Sequence, residues 1–82
     1  MRELLIRVET GSKCRQLEGF LRERRVCARP LDEKSLAVDL DEDGCPELAT
    51  LVAAVEGWRG SAHAGEAVLE LEGETRILRT EI

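Results

Sequence analysis

Val26-Cys27-Ala28-Arg29-Pro30-Leu31, then Asp32-Glu33-Lys34, then Leu36-Ala37-Val38-Asp39-Leu40: the fold turns on this stretch. Its first part reads as a strand that carries a proline. Proline lacks the backbone donor that an interior strand must supply, so Pro30 confines its strand to a sheet edge. The last part alternates Leu36, Val38 and Leu40 with Ala37 and Asp39. A two-residue period of this kind marks a strand with one buried face. The polar residues between the runs make a short turn, so the two strands form a hairpin.

Toward the N-terminus, Leu4, Ile6 and Val8 alternate with Leu5, Arg7 and Glu9, which predicts another half-buried strand. Thr10-Gly11-Ser12 ends it, with Ser12 the expected N-cap of a helix over Ser12–Arg24. Cys14, Leu17 and Leu21, with Phe20 beside them, fall at helical spacing and define the buried stripe. Arg22, Arg24 and Arg25 lie at the negative end of that helix's dipole.

Toward the C-terminus, Asp41-Glu42-Asp43-Gly44 breaks the strand pattern, and Pro46 suits the first turn of a second helix. Leu48, Leu51, Val52, Val55 and Trp58 form its apolar stripe. Asp43 and Glu47 are expected at its positive end, and Gly60 as its stop. Past a small-residue loop, Ala67, Leu69 and Leu71 alternate with Val68, Glu70 and Glu72. Gly73-Glu74 reads as a tight turn into a last strand over Thr75–Ile82. That turn pairs Leu69 with Leu78 on the core face and puts Val68 and Ile77 outside. A one-residue slip would exchange the faces.

Strand, helix, strand, strand, helix, strand is the order of the α+β ferredoxin-like fold. Its second strand is an edge, where Pro30 is tolerated. The final segment adds a fifth strand, giving an antiparallel sheet in the order 5-4-1-3-2 with two helices on one face. A single domain over residues 1–82 is expected. The helices leave the other face bare. Leu5, Arg7, Leu31, Val68, Glu70, Ile77 and Arg79 are its expected contact residues.

The chain is 35% charged, with a formal net charge of -5. That balance argues against nucleic acid as a partner, and the basic cluster Arg22, Arg24, Arg25 and Arg29 lacks interleaved aromatic residues. Residues 1–29 hold eight basic and four acidic side chains, residues 30–82 four and thirteen. Opposed halves of this kind allow head-to-tail association. Asn and Tyr are absent and Lys appears twice, the mark of a GC-rich bacterial genome. Charge interrupts the apolar run of the first seven residues, so no signal peptide is read there, and no membrane span is expected. Three widely spaced cysteines, Cys14, Cys27 and Cys45, fit a reducing cytoplasm.

Candidate chemistry is sparse. Thr10-Gly11-Ser12-Lys13-Cys14 resembles the start of a heavy-metal-associated domain, whose two thiolates three residues apart bind soft cations. Leu17 stands where the second thiol belongs, so Cys14 is read as a core residue. Asp39, Asp41, Asp43 and Gly44 match the opening of an EF-hand loop, but Thr50 replaces its closing acid. The run is read as an acidic helix N-terminus rather than a cation site. His63 has no acid or thiol near it in sequence, and Cys45 lies near a helix N-terminus without a base. No catalytic residue, cofactor or metal is therefore expected.

Three readings follow, in order. The first is a non-enzymatic bacterial interaction module that presents its sheet face or edge to a protein, including a second copy as a homodimer. In layout the chain resembles small adaptor-like domains encoded beside larger bacterial effectors. The second is a small-molecule regulatory domain, similar in strand order to ACT domains. That resemblance implies a ligand near Glu9 to Lys13. The third is metal or thiol chemistry at Cys14 or Cys45.

Overall fold

The computed structural model describes residues 2–41 and 43–79. Along them run β1 (Glu3–Val8), α1 (Gly11–Glu23), β2 (Ala28–Asp32), β3 (Ser35–Asp39), α2 (Leu48–Ala62), β4 (Ala67–Leu71) and β5 (Glu74–Leu78). The strands form one sheet in the order β2-β3-β1-β4-β5, and every neighbouring pair is antiparallel. The molecule is an α+β ferredoxin-like sandwich with one strand added at the C-terminal edge. Alternation explains why one sheet face is apolar. Leu4, Ile6 and Val8 of β1, Leu36 and Val38 of β3, and Ala67 and Leu69 of β4 all turn inward. They meet Cys14, Leu17 and Leu21 of α1 and Leu51, Val55 and Trp58 of α2. Each large apolar side chain buried there contributes about 1.5–3 kcal/mol.

The backbone ladder has a definite phase. The Val8 N–H donates to Lys34 O and the Leu40 N–H to Arg2 O, both at 2.9 Å. Bonded and non-bonded pairs alternate along an antiparallel ladder. The even residues of β1 therefore bond to β3, and Leu5 and Arg7 bond to β4. Carried across the registers, this phase makes Arg29 the β2 residue that bonds to Ala37, and turns the backbone of Pro30 outward. On the opposite edge it turns the backbone groups of Thr75 and Ile77 outward. The donor that Pro30 lacks would have faced solvent.

Several boundaries differ from expectation. Thr10, not Ser12, caps α1: its backbone is extended (φ -137°, ψ 156°) and its hydroxyl accepts from the Lys13 N–H at 3.1 Å. Strand β2 begins at Ala28, after a buried Val26. Pro46 and Asp43 precede α2, which starts at Leu48 with Glu47 as N-cap, so Asp43 contributes nothing to its first turn. Gly60 does not stop α2. The helix runs through it to Ala62, and His63 closes it in the left-handed region (φ 51°). A glycine inside a helix costs about 1 kcal/mol, and the packing of Trp58 and Arg59 offsets that.

The last hairpin turns at Glu72-Gly73, not Gly73-Glu74. Both residues have positive φ (51° and 85°), the backbone of a type I′ turn whose twist matches the strands it joins. Leu69 consequently lies opposite Arg76, and Leu78 opposite Ala67. The slip is two residues, so the faces are kept and Val68 stays outside, paired with Ile77. Residues 80–82 of the expected last strand lie outside the described residues.

Candidate functional site

The bare sheet face has two unlike ends. At one end, Arg29 of β2 donates to the Glu3 carboxylate of β1 at 3.0 Å. The pair spans the intervening β3, where Ala37 points to the same face. Ala37 is only 2% exposed although no helix covers it, and its register neighbours on either side are Arg29 and Leu5. At the other end, Ser35, Arg7, Val68 and Ile77 follow one another across β3, β1, β4 and β5. Leu31 sits where the β2–β3 pairing slips.

This second end forms a hollow of ≈ 280 Å³ that includes Leu5, Arg7, Leu31, Ser35, Val68 and Glu70. Leu31 (47% exposed) and Ile77 (53%) are the large hydrophobic side chains left exposed among the described residues. The structure thus gathers Leu5, Arg7, Leu31, Val68 and Glu70 around one hollow, with Ile77 beside Val68. Arg79 follows the end of β5, exposed and not lining the hollow. Sequence reading missed Ser35, a buried polar side chain in the hollow's wall. The alternation of β3 extended one step back from Leu36 would have found it.

Arg7 stands among the apolar side chains of this hollow. The backbone N–H of Lys34, which donates to Asp32 at 2.8 Å, is the main cause that holds the Asp32 carboxyl below the usual carboxylate range; the Ser35 side chain and then the positive field of Arg7 add to it. A second, larger hollow of ≈ 690 Å³ adjoins the first through Arg7, Asp32 and Val68. Charged side chains line most of it, Glu9, Glu33, Lys34 and Glu66 among them.

The loop where an ACT-like ligand was expected is occupied by internal bonds. Glu9 accepts from the Glu66 N–H at 3.1 Å, and Lys13 Nζ donates to Ala62 O, the last carbonyl of α2, at 2.6 Å. Gly11 packs within reach of Glu33 O. These contacts tie the start of α1 to the end of α2 and the entrance of β4.

The remaining candidates disperse. Cys14 is buried in the core, and burial, then the nearby Glu18 and Asp32 carboxylates, push its thiol up. Cys27 and Cys45 line one small hollow with Arg25, Asp39 and Asp43, of only ≈ 10 Å³. Asp39 accepts from the Asp41 N–H, and Asp41 from the Arg2 N–H, so both carboxylates serve the backbone. Among the described residues, no three His, Cys, Asp or Glu side chains converge to hold a metal ion. Of the basic cluster, Arg22 pairs with Glu18, Arg24 stacks 3.8 Å from the Phe20 ring centre, and Arg29 holds Glu3. Phe20 is half-buried beneath that guanidinium rather than within the core. Trp58 is in the core, and His63 is exposed. No described helix is long and apolar enough to cross a membrane. Comparison of the chain with protein-family models, curated proteins and solved structures finds no match.

Proposed function

We propose that this protein is a non-enzymatic, cytoplasmic interaction module whose working surface is the apolar end of the bare sheet face. One observation supports the reading: Leu5, Leu31 and Val68 line one concave site together with Arg7, and the exposed Ile77 lies beside Val68 at its margin. Apolar side chains around an arginine make the composition of an interface hot spot. The partner that fits is an apolar protein segment bearing a carboxylate for Arg7. The internal bonds of Glu9 and Lys13 favour this reading over a small-molecule site in that loop.

The test is capture from bacterial lysate by immobilised protein, wild type against the double variant Leu31→Lys/Ile77→Lys. Both positions are exposed, so the variant is expected to keep the wild-type circular dichroism. Capture should fall roughly tenfold or more, the effect of removing hot-spot contacts. Equal capture by both proteins rejects the reading.

A further inference from the structure

The two edges of the sheet differ as docking strands. On β2 the outward phase holds Pro30, so the middle of that edge has no donor, and the pairing shifts between Pro30 and Asp32. A proline and a bulge are two devices that keep an edge from recruiting another strand. Strand β5 has neither. It pairs with β4 without a shift over all five residues, and Thr75 and Ile77 turn their N–H and C=O groups outward. The run Glu74-Thr75-Arg76 is locally neutral on a chain of net charge -5.

We infer that β5 is the docking edge for a second copy of this chain, whose own β5 adds antiparallel with Thr75 opposite Thr75. A two-fold pairing of identical strands sets one residue opposite its own equivalent. Charge selects which one. With Thr75 on the axis, Glu74 of each copy faces Arg76 of the other, giving two attractive cross-strand pairs. With Arg76 on the axis, two guanidinium groups oppose each other. With Ile77 on the axis, Arg76 faces Leu78 and the ion pairs are lost. The two-fold axis is perpendicular to the sheet, so both bare faces lie on the same side of a continuous ten-stranded platform. A five-residue edge makes a small interface, and the association belongs to the weak class. The inference builds on the interaction-module reading but concerns the edge rather than the face.

Light scattering across the micromolar range tests it. The mass should rise with concentration from 9.1 kDa toward twice that value. Over the same range, amide exchange at Thr75 and Ile77 should slow. Thr75→Pro removes a donor that bonds nothing within the monomer, and should hold the protein at 9.1 kDa. Glu74→Arg and Arg76→Glu should each weaken association about tenfold, and the double exchange should restore it. A wild-type chain that stays monomeric throughout overturns the inference. So does a dimer that survives Thr75→Pro and both single reversals. A monomer that still captures its partner defeats the edge pairing alone, and a dimer that captures nothing defeats the open-face reading alone.

Discussion

Asp32 shows how a single side chain fixes the turn that flanks the hollow. Its carboxylate accepts from the Lys34 N–H, and that bond is the main reason it titrates low. A carboxyl with a depressed folded pKa adds stability above its unfolded pKa, and the gain is lost as pH falls through the folded value. On acidification below the ordinary carboxylate range, the Lys34 amide should therefore lose exchange protection. Asp32→Asn keeps an acceptor oxygen and should remove that pH dependence; amide spectra that titrate alike in both proteins would contradict the assignment. Cys14 behaves oppositely: burial pushes its thiol up, the surroundings of a cysteine that fills space. Thiol titration of the native protein should label exposed Cys27 first and reach Cys14 only on unfolding. Labelling of Cys14 as fast as Cys27 would show the core to be wrong. The core role of Cys14 was legible because Cys14, Leu17 and Leu21 share a helical stripe. The cap of α1 was not, since Thr10 and Ser12 are both capable residues and only the extended backbone of Thr10 decides between them.

Elements were legible where side chains alternate and less so where they end. Period two located β1, β3 and β4, because burial of one face leaves that trace in composition, whereas β2 and β5, mostly exposed, were read from the runs beside their turns. Helix ends leave a weaker trace. Gly60 carries a stop signal, yet α2 continues because Lys13 caps its last carbonyl from another element. Hairpin register was missed by two residues because Glu72 had to adopt positive φ, which residue type alone disfavours. The junction after α2 depends on Gly65. Its φ is +71°, and a Cβ there would meet the Glu9 carboxylate that holds the Glu66 N–H. Its carbonyl also accepts from Arg59 Nη1 at 3.0 Å. Gly65→Ala should cost about 1–3 kcal/mol in urea unfolding. An unchanged midpoint would mean that this junction carries no structural constraint.

At the scale of the whole molecule, one core serves both helices and the sheet, so the protein should unfold as a unit. Fluorescence of Trp58 and far-ultraviolet circular dichroism should report the same transition. Leu17 is fully buried in that core, and Leu17→Ala should cost about 2–5 kcal/mol, a large share of a typical small domain's stability. Transitions that separate by probe would contradict the single core. The topology was legible because Pro30 named an edge and the element order supplied the rest. Face membership of the site followed from alternation. The Arg29–Glu3 ion pair did not, because it joins strands two places apart and depends on register. The apolar end around Arg7 is the central claim, and side-chain footprinting by mass spectrometry, on the protein alone and in bacterial lysate, tests it most directly. Alone, Leu31, Val68 and Ile77 should be modified while Leu4, Ile6 and Leu69 are spared; in lysate, modification of the first three should drop. Modification of those three that is unchanged by lysate, with protection appearing on the helices instead, would contradict the account.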